Sequence, residues 1–291
     1  MKVRTAVFPV AGIGTRFLPA TKAVPKEMLP IIDRPIIQYA MDEAAAAGIE
    51  QVVLVNSPLK TAIEQHFAPA PELEAELKQK GKTDLLRELG RLLPAGMRVS
   101  SVPQDAPLGL GHAVLCARPV AGEGFFGVIL PDDLIEDGTR GCLRQLLDVH
   151  ARHQCSVVAV ERVPREHTKR YGIVSAEPAG ERLHRMTAIV EKPDPAVAPT
   201  NLAVVGRYVL SPRIWDLLES TPRGAGGEIQ LTDAIAALMK TEPVMALEFG
   251  GTRYDCGSKS GYLQANVEYA LRRPDLSSDF ALFLKNLGSK N

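Results

Sequence analysis

A glycine turn at Ala11, Gly12 and Gly14 is followed closely by three cations, Arg16, Lys22 and Lys26. Glycines placed after a strand let the backbone bend sharply and approach a ligand, presenting N–H groups to a phosphate or a base edge. Polyphosphate is the natural counter-ion for cations gathered there. Taken singly, each is an ordinary exposed charge; clustering with the glycines inside one loop, Ala6 to Pro30, is what points to phosphate chemistry. A dinucleotide fold is the rival reading. Its fingerprint needs a third glycine at position 17, where this chain has Phe17, and a helix opening there, which Pro19 and Pro25 forbid. Asp33 lies at the distance of a ribose-binding acid, but in a turn before Pro35 rather than at the end of the second strand. An extended loop is expected in the helix's place.

The acids are the second group with chemistry in them. Asp132 and Asp133 follow an apolar run, Gly127 to Leu130, at the carboxyl edge where open α/β sheets hold their ligands. Asp255 follows the strand-like Met245 to Phe249 region and precedes Gly257 and a helical pattern, Lys259 to Leu271. Carboxylates so placed can hold magnesium, which takes one or two of them together with substrate phosphates and water. One such aspartate alone reads as a turn or helix cap. Gln104 offers both donor and acceptor to a pyrimidine edge, and equally could cap the Pro103 turn. His150, His153 and Cys155 have a spacing suggestive of zinc, but a helix from Gly141 to His153 ends there. Histidines at a helix C-terminus gain from its dipole without a metal, and a structural zinc site wants four ligands.

These groups need a scaffold, and the sequence alternates short β-branched runs with helical patterns, the signature of a largely parallel sheet covered by helices. Thr5–Val10 and Gln51–Val55 read as the first two strands. Between them Pro35–Ala47 carries Ile36, Ile37, Ala40, Met41 and Ala44 on one helical face, with proline at its start and Gly48 past its end. Arg98–Val102, Gly127–Leu130 and Cys155–Arg162 follow as strands. The order is that of a doubly wound sheet. Pro71–Leu93, with leucines around a break at Gly81, reads as a helical hairpin within an insertion over 68–96. From Tyr171 to Leu210 strand-like segments dominate, broken by the loop Pro193–Pro199, and read as a β-rich lobe of the same single domain, 1–291.

A chain of 291 residues with 45% hydrophobic content can bury a large core. Lys plus Arg equals Asp plus Glu at 34 each, so no overall positive field gathers nucleic acid or an anionic membrane. No apolar stretch approaches the roughly 20 residues of a spanning helix, and no signal peptide is read at the N-terminus. Four cysteines without a Cys-x-x-Cys pair read as reduced cytosolic thiols. A soluble cytoplasmic protein is the expectation.

The motifs themselves resemble a known family. Gly12-x-Gly14-Thr15-Arg16, Pro19, Thr21, Lys26 and Leu29-Pro30 are similar to the signature loop of the sugar nucleotidyltransferases. Phe17-Leu18-Pro19-Ala20-Thr21-Lys22 with Val24-Pro25-Lys26-Glu27 resembles its bacterial branch that acts on UTP and glucose 1-phosphate. Gln104-Asp105-x-Pro107-Leu108-Gly109-Leu110-Gly111-His112-Ala113, Leu130-Pro131-Asp132-Asp133, Tyr171-Gly172, Glu191-Lys192-Pro193, Glu228-Ile229-Gln230-Leu231-Thr232-Asp233 and Tyr254-Asp255-Cys256-Gly257 extend the resemblance, in order, over nearly the whole chain.

The resemblance implies a Rossmann-like, doubly wound, mostly parallel mixed sheet with the 171–210 region on the sugar side. It implies transfer of a uridylyl group from UTP to glucose 1-phosphate, giving UDP-glucose and pyrophosphate. Arg16, Lys26 and Lys192 would be the reactive cations, and Asp132 and Asp255 the magnesium ligands, with Asp133 less firmly placed. Ala11, Gly12, Gly14, Thr15, Glu27, Gln104 and Gly109 would form the nucleotide pocket, and Gly172 and Glu191 would meet the glucose hydroxyls. The family also implies a homodimer or homotetramer, with the tail 275–291 as a contact surface. Two alternatives stay open. A thymidylyltransferase shares the loop and acids but usually lacks Val24-Pro25 and the glutamate after the loop lysine. A catalytically silent nucleotide-sugar sensor would share the fold, but its reactive set would be expected to decay.

Overall fold

The computed structural model describes residues 2–138 and 140–288. In chain order the strands are β1 (Thr5–Pro9), β2 (Pro30–Ile31), β3 (Arg34–Pro35), β4 (Gln51–Asn56), β5 (Arg98–Pro103), β6 (Phe126–Ile129), β7 (Asp133–Glu136), β8 (Ser156–Arg162), β9 (Gly172–Gly180), β10 (Leu183–Glu191), β11 (Leu202–Leu210), β12 (Val244–Glu248) and β13 (Thr252–Asp255). Nine form one mixed sheet, ordered β5-β4-β1-β6-β11-β8-β12-β10-β9. The first four are parallel. β11 then enters antiparallel between β6 and β8, β12 runs parallel to β8, and β10 and β9 follow as an antiparallel pair.

Strand alternation decides which helices go where. Ala6 and Phe8 of β1, with Val52 and Leu54 of β4, face a core built with the helices Ile36–Ala46 and Cys142–His153. Val7, Val53 and Val55 point the other way, toward Leu110–Cys116, Ile214–Ser220 and Leu231–Leu238. Each fully buried leucine, isoleucine or phenylalanine contributes roughly 1.5–3 kcal/mol relative to exposure. Helices therefore cover both faces, and the strand ends remain for ligands. The helix Ile36–Ala46 starts directly after Pro35 and is stopped by Gly48, whose φ of 85° suits a residue without Cβ.

The glycine-rich loop departs from the extended form expected of it. It winds through three short 3-10 turns, Thr15–Phe17, Ala20–Lys22 and Lys26–Met28. Pro19 and Pro25 immediately precede the second and third, where a fixed φ and a missing N–H favour turn entry. The prolines that bar an α-helix thus organise the loop. The helices Pro71–Gln79 and Thr83–Leu89 flank Gly81, whose φ is 65°. Lys259–Arg272 and Ser277–Gly288 end the chain; no described helix is long and apolar enough to cross a membrane.

Candidate active site

Beyond the carboxyl end of β6, Asp132 meets the glycine loop. The Lys26 ammonium donates to Asp132 Oδ2 at 2.5 Å. Burial alone would lower the Lys26 pKa, but the charges of Asp132 and Glu27 outweigh it and hold it above the ordinary value. Burial alone would likewise raise Asp132, and Lys26 overrides it to hold the carboxyl below its ordinary value. Both groups stay ionised. The approach depends on Gly14, with φ 71°: a Cβ there would lie 3.2 Å from Lys26 Cβ, and its carbonyl accepts from Thr21 Oγ1 at 2.7 Å.

Asp255 comes to the same place through a ribbon. β13 pairs antiparallel with β7, setting Asp255 opposite Asp133, and the Cys256 N–H donates to the Asp132 carbonyl at 2.8 Å. A Cβ on Gly257 would stand 2.9 Å from Asp132 Oδ2 and 3.0 Å from Asp255 Oδ1, so both carboxylates face one point. Arg16 donates to the Gly257 carbonyl at 3.3 Å. Arg16, Lys26, Asp132 and Asp255 therefore converge. No cluster of three or more His, Cys, Asp or Glu able to hold a metal occurs among the described residues. Two carboxylate oxygens facing one point are the donor set a hard divalent ion shares with substrate phosphates, and in that sense the residues fit magnesium.

Asp133 has a different job. Its Oδ1 accepts from Arg253 Nε at 2.7 Å and its Oδ2 from the Gly206 N–H at 2.8 Å, so both oxygens are committed to the scaffold. Arg207 of β11, 1% exposed, completes that scaffold. It holds Glu43 through three contacts of 2.8–3.1 Å and donates to the carbonyls of Leu130, Gly206 and Asp133. The carbonyls on either side of Asp132 are thus clamped by one buried guanidinium.

Of the residues expected in the nucleotide pocket, Ala11, Gly12, Gly14 and Thr15 lie at the start of the glycine loop, with Gly12 and Thr15 exposed. Glu27 is not on that surface. It is 1% exposed, and its Oε2 accepts from Lys60 Nζ at 3.0 Å while the same ammonium donates to the Val10 carbonyl at 2.7 Å. Burial raises the Glu27 pKa and lowers that of Lys60, the cost of an ion pair held inside. Glu27 Oε2 thus braces the loop from below, while its Oε1 is buried with no hydrogen-bond partner among the described residues. Gln104 does not cap the Pro103 turn: its Nε2 donates to the Gly109 carbonyl at 3.2 Å. Gly109 has φ 100°, and a Cβ there would strike Glu228 Cβ at 2.7 Å.

The residues expected to meet the sugar phosphate form their own group. Gly172 and Glu191 pair across β9 and β10, Glu191 Oε2 accepts from Thr232 Oγ1 at 2.6 Å, and Lys192 lies 3.0 Å from Glu191 Oε1. Lys192 has φ 45°, and its N–H donates to the Tyr171 carbonyl at 3.0 Å. Tyr171 stands between the groups, with the Arg170 and Arg253 guanidinium carbons 5.6 and 5.1 Å from its ring centre. Arg170 donates to Asp255 Oδ2 at 2.6 Å. Sequence reasoning missed Lys60, Arg170, Arg207 and Arg253; only Arg207, a charge inside an apolar strand, carried a visible signal. His150 Nδ1 donates to the Cys155 carbonyl at 2.9 Å, a local bond at a helix end.

The nucleotidyl transferase family model matches residues 6–272. The UTP–glucose-1-phosphate uridylyltransferase of Bacillus subtilis is 46% identical over 289 residues, covering 99% of this chain and 98% of its own. That of Haemophilus influenzae is 47% identical, covering 97% and 98%. A solved UTP-bound UGPase from Acinetobacter baumannii superposes with a TM-score of 0.92 at 47% identity, over 98% of this chain and all of its own. A match of this extent, with nearly half the residues identical and the same fold, fixes the assignment: this chain belongs to the nucleotidyl transferase family, among its UTP–glucose-1-phosphate uridylyltransferases.

Proposed function

We infer that this chain joins UTP and glucose 1-phosphate into UDP-glucose, releasing pyrophosphate. The observation that carries the reading is the convergence of Arg16, Lys26, Asp132 and Asp255 at the edge of the sheet, in a chain whose relatives are so named. A phosphate oxygen of the sugar phosphate attacks the α-phosphorus of UTP in line. A phosphomonoester has its second pKa near about 6, so this nucleophile is already ionised at neutral pH and needs no general base. The protein's work is positioning and charge neutralisation. Arg16 neutralises the triphosphate and the departing pyrophosphate, Lys26 the α-phosphate, and Lys192 the sugar phosphate. A magnesium ion, held by Asp132 and Asp255, would when bound neutralise charge on the phosphate oxygens. Backbone at Ala11 and Gly12, with Glu27, Gln104 and Gly109, receives the uridine; Gly172 and Glu191 receive the glucose. The sheet is read as Rossmann-like and doubly wound, with β9 to β11 as the sugar-side lobe of a single cytoplasmic domain. The tail helix, with Leu282 and Phe283 exposed, is offered as the surface for a dimer or tetramer.

Because the Lys26 ammonium is already held against Asp132, Lys26→Ala is expected to lower turnover some tens of fold while the KM for glucose 1-phosphate moves less than about threefold. Steady-state kinetics with varied sugar phosphate would reverse that pattern if Lys26 gripped the sugar instead. The function itself is tested by pyrophosphate release with UTP or dTTP against glucose 1-phosphate or galactose 1-phosphate, product mass being read in parallel. Turnover confined to UTP and glucose 1-phosphate is expected. A preference for dTTP would make this a thymidylyltransferase, and tight UDP-glucose binding without any turnover would make it a sensor.

A further inference from the structure

Gln104 Nε2 lies 3.2 Å from the Gly109 carbonyl and 3.0 Å from His112 Nδ1. The carbonyl can only accept, so the atom facing it must be the amide nitrogen, which settles the amide's orientation without reference to any ligand. It follows that His112 Nδ1 is an acceptor, and that the ring is the neutral Nε2–H tautomer. Burial, and then the charge of Arg223, hold the His112 pKa below the ordinary histidine value, which keeps that lone pair available. Cys116 Sγ stands 3.8 Å from Nε2 and 3.9 Å from Nδ1, against the ring. Both amide hydrogens of Gln104 are thus taken by the protein. Its Oε1 receives no hydrogen bond from any described residue.

We propose that His112 is a positioning residue for base selection: it locks the Gln104 amide so that only an acceptor faces the nucleobase. Such an acceptor takes a base with a ring N–H, as uracil and thymine have at N3, and rejects cytosine, whose N3 is itself an acceptor. The proposal rests on the reading that the nucleotide's base lies beside Gln104. It also separates two selections, since an acceptor at this point distinguishes UTP from CTP but not UTP from dTTP. Without the Nδ1 acceptor only the single bond to the Gly109 carbonyl, at 3.2 Å, opposes rotation, and turning the NH2 toward cytosine then costs one hydrogen bond instead of two.

The test compares wild type, His112→Phe and His112→Asn by kcat/KM for UTP and for CTP with glucose 1-phosphate, and by calorimetric binding of the two nucleotides. In His112→Phe the ring is kept and the acceptor lost, so the UTP over CTP preference is expected to fall at least about tenfold. The change should appear mainly in KM. His112→Asn, whose side-chain oxygen can accept from the amide, should recover most of the preference. An unchanged preference in folded His112→Phe would overturn the proposal, and so would an equal loss for both nucleotides, which is what a purely structural role produces. If His112→Phe does not fold, His112→Leu carries the same comparison. Wild type that binds UTP over CTP but forms no product would sink the proposed reaction while the binding ratios still decide the role of His112; wild type with no preference would sink the inference.

Discussion

Asp132→Asn is expected to lower pyrophosphate release by at least about a hundredfold while leaving the protein folded. The substitution is nearly isosteric and keeps an oxygen to accept from Lys26, so the loop's contact at 2.5 Å survives in a weaker form. What disappears is one of the two negative charges that face the same point beside Gly257. Lys26 then loses the partner that offsets its burial and retains only Glu27 nearby. A modest fall in thermal midpoint should accompany the large fall in turnover. The measurement is turnover across a magnesium series: recovery at high magnesium would mark a lost binding charge, and unchanged turnover throughout would remove Asp132 from the reacting centre.

Arg207→Met should destabilise the protein by about 3–5 kcal/mol, the usual consequence of removing one partner of a buried pair. The guanidinium is almost fully inaccessible, and without it Glu43 is left charged in the core while the carbonyls of Leu130, Gly206 and Asp133 lose a donor. Urea unfolding should show a lower midpoint at an unchanged slope. Replacing both partners, Arg207→Met with Glu43→Leu, should regain part of the loss, since well-packed apolar pairs often match buried ion pairs. Turnover should stay depressed in the double variant even where it is folded, because the segment carrying Asp132 is no longer clamped from both sides. A double variant with full activity would show that the clamp serves stability alone.

Local pattern made much of this legible. Short apolar, β-branched runs marked β1, β4, β5, β6 and β8, and the spacing of Ile37, Ala40, Met41 and Ala44 marked the first helix, because burial on one face of a helix writes its period into the sequence. β11 shows the limit. All nine of its residues are buried, so it has no alternation to read, and nothing local says that it runs antiparallel between β6 and β8. The short β7–β13 ribbon that brings Asp255 beside Asp133 joins segments more than a hundred residues apart and carries no turn signal. Glu27 was visible as a loop residue, but its burial depends on Lys60, which approaches from beyond β4. The glycines, cations and acids could be named from the sequence; which of them touch, and which merely hold others in place, is decided by long-range pairing.

The placement of β11 has a consequence for how the chain is made. β6 ends at Ile129 and its second neighbour begins only at Leu202, so about seventy residues must be synthesised before that edge is covered. At bacterial or eukaryotic ribosome speeds of about 5–20 residues per second, this takes roughly 4–15 s. Throughout that interval the emerging chain can assemble β5, β4, β1 and β6 but must leave an apolar strand edge open, the kind of surface that pairs with other chains. The nascent protein is thus most vulnerable from the point where nearly half of it has been translated until about 70% has, and a chaperone that shelters it then has more to offer than one that acts on the finished fold.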